Sequence, residues 1–202
     1  MNKYNLTNFR TSQNDVNFKP LIITSLIFGF LLIPLHEFGH VIFHWLTGNP
    51  EGMSYARDYL LGNGSHTFLG VLGGPLLPLI TSSIAVILIY RSSISLSTLY
   101  PIAILGAFER LILYITLGLP SDEKELSDFQ HWNRFTFEHI ILLAEIILLA
   151  FVIYSMFKFK ISLKMKILCI LIPIISFIIM AAFGVFVIER FLFTEQYHLQ
   201  FG

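Results

Sequence analysis

The chain has 202 residues, of which 55% are hydrophobic and 13% are charged, whereas soluble domains typically contain about 25% charged residues. This composition excludes an ordinary soluble domain and predicts a protein whose solvent is the lipid bilayer. Thirteen Lys and Arg balance thirteen Asp and Glu, so the net charge gives no support for a nucleic-acid partner, and partners are expected in the membrane.

Five apolar stretches follow a polar N-terminal segment at residues 1–19. This segment lacks the short charged start and the cleavage site of a signal peptide, so the first stretch is expected to be retained as a span. Each stretch has about the ~20 residues that a helix needs to cross ~30 Å of hydrocarbon. The stretches cover residues 20–46, 68–90, 94–118, 135–158 and 163–188. The sequence therefore predicts an all-α membrane protein, a polytopic bundle of about five transmembrane helices in one domain over residues 20–190, with a tail at residues 191–202.

The first stretch contains His-Glu-Phe-Gly-His at residues 36–40. Residues four apart share one face of a helix, so His36 and His40 can turn both imidazoles toward one metal ion, with Glu37 beside them. This spacing suits zinc, with Glu37 as the general base that takes a proton from an activated water. Ionisable groups inside a span are costly and are therefore interpreted as functional. Pro34 is expected to loosen the helix just before the motif.

His44 lies on the same helical face, four residues after His40. With a rise of ~1.5 Å per residue it is ~12 Å from His36 along the axis, too far for both to bind one ion. We therefore expect His44 near the membrane surface, as an interfacial residue or as a neighbour that supports the ligands. A structural role is expected for the other histidines, which have no paired partner in the sequence: His66, His131, His139 and His198.

Residues 47–67, which follow the first stretch, are rich in Gly and Asn and predict an interfacial loop or a short hairpin. The second stretch then carries Gly73, Gly74, Pro75 and Pro78 in its first half. Such residues interrupt helical regularity, and irregular backbone at membrane depth is found where protein buries it or where it lines a cavity. We therefore expect this half of the second stretch to face a cavity.

The most polar interior segment follows the third stretch. Its Ser121 precedes Asp122 and Glu123, as an N-cap residue precedes acidic residues in the first turn of a helix. We therefore expect a helix to begin at this point.

Three of these features resemble the site-2 protease family of intramembrane zinc metalloproteases. They are the motif at residues 36–40 inside a span, the Gly-Gly-Pro segment at residues 73–75 in the next span, and an aspartate near the start of a later helix. The resemblance covers roughly residues 20–130. It implies a zinc-dependent peptidase in which His36, His40 and an aspartate bind the metal and Glu37 is the catalytic base.

More than one residue is a candidate for the third ligand, because no Asp-Gly pair lies in an apolar segment where the family commonly has it. Asp122 is preferred, since it follows a proline at the start of a helix that returns toward the membrane. Asp128 in the same segment is the reserve, and Glu109 and Glu145 are deeper alternatives. Either glutamate could instead pair within the bundle, for example Glu145 with Arg110.

The distribution of Lys and Arg predicts the orientation, because these residues are enriched in cytoplasmic loops. With five spans, the N-terminal side carries Lys3, Arg10, Lys19, Arg91, Lys158, Lys160, Lys164 and Lys166, and the opposite side carries Arg57, Lys124, Arg134 and Arg190. We therefore expect a multi-pass protein with a cytoplasmic N-terminus.

The leading hypothesis is a membrane-embedded zinc metalloendopeptidase that hydrolyses a peptide bond within or beside the bilayer, in a membrane protein or a peptide. The alternative is a non-proteolytic membrane scaffold or regulatory protein with a structural metal site. A coordination position that water can reach would favour catalysis, whereas a closed four-ligand site would favour a structural role. The sequence does not determine the substrate or the oligomeric state.

Overall fold

The computed structural model describes residues 16–62, 64–91, 94–112, 121–131 and 136–193. These residues are mostly helical, as predicted. In chain order the elements are α1 (Phe18–Leu46), β1 (Glu51–Met53), β2 (Asp58–Leu60), α2 (Phe68–Arg91), α3 (Leu96–Gly106), α4 (Ser121–Phe129), α5 (Thr136–Lys158), α6 (Leu163–Phe183) and a π-helical segment, Gly184–Phe193. Most of the polar N-terminal segment and most of the predicted C-terminal tail lie outside the described residues.

Four helices among the described residues are long and apolar enough to cross a membrane. They are α1, α2, α5 and the run Leu163–Leu192, which joins α6 to most of the π-helical segment. The predicted span at residues 94–118 is only partly described: α3 ends at Gly106, a turn follows, residues 109–112 are again helical, and residues 113–118 lie outside the described part of the chain. The helices support a membrane protein, whereas the count of five spans stays a prediction.

Glycines allow α1 to lie very close to its neighbours. A Cβ added to Gly29 of α1 would lie 3.1 Å from the Cα atom of Phe177 in α6. Gly39 meets the carbonyl group of Gly73 in α2 so closely that any Cβ would overlap it. Small residues at such contacts are typical of helix association in membranes, where packing replaces the hydrophobic effect as the driving force.

α2 is a continuous α-helix through the residues that were predicted to interrupt it, so the expectation of irregular backbone facing a cavity is wrong. The glycines and prolines of its first half are all buried: Gly73, Gly74, Pro75 and Pro78. The two glycines face α1, where a side chain would overlap the neighbouring helix. They therefore serve close packing rather than a break in the helix.

β1 and β2 form an antiparallel hairpin between α1 and α2, which confirms the short hairpin predicted for this loop. Glu51 lies opposite Leu60, and Met53 lies opposite Asp58. The hairpin is short, and most of its stability is therefore expected to come from contacts with the helices around it.

The turn of the hairpin is held by a residue from much later in the chain. Glu189 of the π-helical segment accepts a hydrogen bond from the Ser54 hydroxyl at 2.7 Å. It also accepts hydrogen bonds from the backbone N–H groups of Tyr55 and Ala56 at 3.0 and 3.3 Å. One carboxylate thus satisfies three donors that the tight turn leaves without strand partners.

Tyr55 also connects the hairpin to α1. Pro34 has no N–H group, so the carbonyl of Phe30 lacks its usual helical donor. The Tyr55 hydroxyl donates a hydrogen bond to this carbonyl at 2.9 Å. Burial raises the pKa of Tyr55 to about 12, so the hydroxyl keeps its proton at neutral pH. A loop residue therefore satisfies the backbone group that the proline leaves free, as a helix inside a membrane requires.

Candidate metal centre

α1 and α4 bring the three predicted metal ligands together. The Nε2 atom of His36 lies 3.2 Å from Nε2 of His40 and 3.0 Å from Oδ2 of Asp122. The Nε2 atom of His40 lies 3.5 Å from the same carboxylate oxygen. Both histidines are buried on consecutive turns of α1, and Asp122 is the second residue of α4. Residues 86 positions apart in the chain therefore meet in one cluster.

The spacing of the three donor atoms fits zinc. In a tetrahedral site with Zn–N distances of about 2.0–2.1 Å, neighbouring ligand atoms lie about 3.3 Å apart. The separations in the cluster run from 3.0 to 3.5 Å. Two imidazole nitrogens and a carboxylate oxygen are also donors that zinc accepts.

Each imidazole has a neighbour that directs its Nε2 atom toward the cluster. The carbonyl oxygen of Gly70 lies 3.0 Å from Nδ1 of His40. Because a carbonyl can only accept, Nδ1 must carry the proton, and Nε2 of the neutral ring keeps its lone pair for a metal. The carboxylate of Glu109 lies 3.4 Å from Nδ1 of His36. Backbone carbonyls and carboxylates are the usual partners of histidines that bind metals.

Gly74 of α2 provides the space that the two imidazoles occupy. A Cβ at this position would overlap Nε2 of His40 and lie 2.7 Å from Nε2 of His36. The Gly-Gly-Pro segment therefore contributes to the site through the absence of a side chain at Gly74.

Arg110 places a positive charge beside the ligands. Its Nη2 atom contacts Oδ2 of Asp122 and lies 2.8 Å from Nε2 of His36. Burial by itself would raise the pKa of Asp122, but the guanidinium beside it holds the pKa of that carboxyl well below its usual range. Glu145 of α5 accepts the backbone N–H groups of Arg110 and Leu111 at 3.0 and 3.1 Å. The pairing of Glu145 with Arg110 that the sequence suggested therefore includes a hydrogen bond from the backbone N–H group of Arg110.

The cluster forms part of the wall of a pocket with a volume of about 550 Å³. Glu37, Glu109 and Arg110 line the same pocket. The hairpin turn and the π-helical segment supply further lining residues: Ala56, Arg57, Asp58, Val185 and Glu189. The predicted ligands therefore border open space rather than a closed core, which is the arrangement that favours catalysis over a purely structural metal.

A second carboxylate approaches the cluster from the hairpin. Carboxylate oxygens of Glu37 and Asp58 and a ring nitrogen of His40 lie within 4.8 Å of one another. Asp58 was not among the predicted site residues. No local pattern marks it, because it follows the turn of a hairpin whose position over α1 depends on contacts with Glu189 and Tyr55.

The structure also separates the alternatives for the third ligand. Asp128, on the same short helix as Asp122, is exposed. Glu109 is buried against the far nitrogen of His36, and Glu145 is buried against backbone N–H groups. Among the four acidic residues considered, Asp122 is the one whose oxygen lies within 3.5 Å of both Nε2 atoms.

Comparisons of the chain with models of known protein families, with curated proteins and with solved structures give no significant match. The function is therefore inferred from the residues of the site.

Proposed function

We propose that the protein is a membrane-embedded zinc metallopeptidase that cleaves a peptide bond within or beside the bilayer. One observation carries this proposal: the Nε2 atoms of His36 and His40 and the Oδ2 atom of Asp122 converge at zinc-ligand spacing in a pocket wall that also contains Glu37. Glu37 follows His36 directly in α1 and precedes His40 by three residues. The base and the metal ligands therefore reach the same space.

The chemistry divides between the ion and the side chains. A bound zinc ion supplies Lewis acidity, which lowers the pKa of water and polarises a carbonyl group. The carboxylate of Glu37 accepts a proton from the attacking water and returns it to the leaving amine. Arg110, beside Asp122, is positioned to stabilise negative charge that develops on the carbonyl oxygen.

The substrate class follows from the pocket and from the hydrogen bonding of peptides. A pocket of about 550 Å³ falls within the usual range for small ligands, about 300–1,000 Å³. It holds a short stretch of extended chain rather than an intact helix, which is about 10 Å across. The substrate is therefore a membrane protein or peptide whose scissile segment is unwound.

The packing supports the topology that the charges predict. Five positions that this topology places near the cytoplasmic face lie together in one buried cluster: Leu21, Ile89, Leu96, Met156 and Ile161. Phe28 and Leu32 pack with Leu105 and Ile112 in another buried cluster, so α1 and the third apolar stretch run in the same direction. The packing supports the alternating directions of the spans, and the distribution of Lys and Arg assigns the side. We therefore propose a multi-pass membrane protein with a cytoplasmic N-terminus and with the pocket beyond the middle of α1.

The test combines zinc content with cleavage. The full chain is purified in detergent without chelators, loaded with zinc and desalted, and zinc is measured by elemental analysis. We expect Glu37→Gln to keep its zinc and to lose cleavage of a fluorescent unfolded casein by about 10²-fold or more. His36→Ala and Asp122→Ala should lose cleavage and the zinc ion that these residues bind. The exposed Asp128→Asn is the matched control and should retain both.

Three results would count against the proposal. Equal cleavage by Glu37→Gln and the unmodified protein would rule out Glu37 as the base. Full zinc content in Asp122→Ala would remove Asp122 from the ligands and point to Asp58. Bound zinc without cleavage of any peptide, including transmembrane peptides in vesicles, would favour the scaffold or regulatory role instead.

A further inference from the structure

A second cluster of potential metal ligands lies one turn beyond His40. His44, near the end of α1, Glu51, in β1, and His66, just before α2, have ligand atoms within 4.8 Å of one another. His44 and Glu51 are buried, with 0% and 2% of their surface exposed. His44 is therefore covered by the hairpin and by the start of α2.

The buried polar atoms of this cluster lack hydrogen bonds. Both ring nitrogens of His44 and both carboxylate oxygens of Glu51 are buried without a hydrogen-bond partner. The shortest recorded approach between the two side chains is 3.7 Å, from Nε2 of His44 to Oε1 of Glu51. Burying a polar group without a partner is unfavourable, so four such atoms at one place indicate that a ligand is expected there.

We propose that His44, Glu51 and His66 bind a second divalent transition-metal ion of the zinc class. Two imidazoles and a carboxylate match the donors that zinc prefers. Both oxygens of Glu51 are available, so bidentate binding would give four donor atoms from three side chains. A simple hydrogen bond between His44 and Glu51 would satisfy one nitrogen and one oxygen, and it would leave the other two atoms buried without partners.

The His66 side chain lies beside that of His44 and has a carboxylate neighbour. Its ring lies edge-on to that of His44, with the ring centres 5.4 Å apart. The carboxylate of Glu125 in α4 lies 3.6 Å from its Nδ1 atom. Carboxylates are common neighbours of imidazoles that bind metals, so Glu125 is compatible with a ligand role for His66.

Two further features suit a cation at this position. Gly70 of α2 leaves the space for the His44 ring, because a Cβ there would overlap the imidazole. Asp58 of the hairpin is an acidic neighbour of Glu51. A divalent ion would offset the negative charge that these two carboxylates bring into a buried region.

The second site has a structural role. Its three ligands come from α1, from β1 and from the segment before α2, so the ion would fasten the base of the hairpin to the helix that carries His36 and His40. None of the three lines the pocket of the first cluster as described, whereas the hairpin turn does. The ion would therefore hold the pocket wall in place without contacting the substrate.

Zinc stoichiometry tests this inference, and it does so independently of cleavage. The full chain in detergent is loaded with zinc, desalted and analysed, with gel filtration to check that each variant is folded. We expect about two zinc ions per chain in the unmodified protein and about one in His66→Ala and in Glu51→Gln. The double variant His36→Ala/His40→Ala should also bind about one, which His66→Ala should then remove.

His66 is the decisive position, because its side chain is 44% exposed and its removal does not disturb the core. His131→Asn is the matched control: His131 is also exposed, its backbone φ is 53°, and Asn tolerates that conformation. It should keep both ions. Unchanged zinc content in His66→Ala, or a single ion that His40→Ala removes completely, would overturn the second site. One zinc that persists in His36→Ala/His40→Ala would establish it even if the first site and the proposed cleavage both failed.

Discussion

The two histidine clusters lie on one face of α1 and differ in what surrounds them. The first, His36, His40 and Asp122, borders a pocket and has a guanidinium beside it. The second, His44, Glu51 and His66, is covered by the hairpin, and four of its buried polar atoms have no hydrogen-bond partner. The same spacing of four residues along a helix thus produces an open cluster and a covered one.

The difference shows that the neighbours of a histidine, more than its spacing, determine its role. A carboxylate from a distant helix and a pocket make the first cluster suitable for chemistry. A carboxylate from the adjacent hairpin and a tight cover make the second suitable for fastening. Variants of residues beside each cluster can show whether the two clusters bind zinc independently.

The strongest test of this separation uses two glycines of α2, one for each cluster. Gly74→Ala would push a Cβ into the rings of His40 and His36, and Gly70→Ala would push one into the ring of His44. Overpacking of this kind costs about 1–3 kcal/mol, which corresponds to a loss of affinity of roughly 10- to 100-fold. Zinc titration should show weaker binding at the first site in Gly74→Ala and at the second site in Gly70→Ala.

The two glycine variants are compared with each other, because both add the same methyl group to the same helix four residues apart. Because the carbonyl of Gly70 also contacts Nδ1 of His40, a smaller loss of affinity at the first site is expected in Gly70→Ala as well. If Gly74→Ala weakened both sites equally, the two clusters would be coupled through α2 and the contrast between them would be lost.

A second test uses the positive charge that only the first cluster has among the described contacts. Arg110→Met would remove a guanidinium that contacts Asp122 and His36, two of the groups that a metal ion would use. We expect zinc to bind the first site about tenfold more tightly, or ~1.4 kcal/mol, and the second site to be unchanged. Competition against a chelator of known affinity measures both constants.

Arg91→Met, at the exposed end of α2, is the control and should alter neither constant. Weaker zinc binding in Arg110→Met would mean that the guanidinium holds Asp122 in position rather than competing for it. In that case, a loss of cleavage in Arg110→Met would reflect weaker zinc binding rather than the loss of a charge beside the carbonyl oxygen.

The smallest expected effect concerns the hairpin that contributes to both clusters. Tyr55→Phe would leave the Phe30 carbonyl without its donor and should lower the free energy of unfolding by about 1–2 kcal/mol. In a Pro34→Ala background the restored N–H can bond that carbonyl, so Tyr55→Phe should cost less. A double-mutant cycle, measured by unfolding in mixed detergent micelles, gives the coupling. Equal costs in the two backgrounds would show that the hydroxyl and the proline act independently.

Much of the fold could be predicted because the signals are local. Length and hydropathy located α1, α2 and α5 to within two residues and the start of α6, and Gly and Asn located the hairpin. The spacing of His36 and His40 placed two ligands on one face, and Ser121 marked the start of the helix that carries Asp122. Each of these inferences depends on residues that are close in sequence, where periodicity and capping apply.

The contributions that could not be predicted are those that depend on how distant segments meet. Asp58 and Glu51 reach α1 only because the hairpin folds back over it, and Arg110 reaches Asp122 across residues that carry no motif. The prolines and glycines of α2 were misread because the same residues serve both irregular backbone and close helix contacts. Only the neighbouring helix decides between the two.

The bond network of Glu189 has a consequence for the order in which the protein is made. The hairpin is synthesised early, but the carboxylate that fixes its turn is 133–135 residues further along the chain, and Val185 and Glu189 both belong to the pocket wall. While the chain emerges from the ribosome, the ligand histidines are therefore already in the bilayer and the pocket is still incomplete. The proposed peptidase would therefore complete its pocket only after the run Leu163–Leu192 has been made, so its unfinished segments would not meet a finished site.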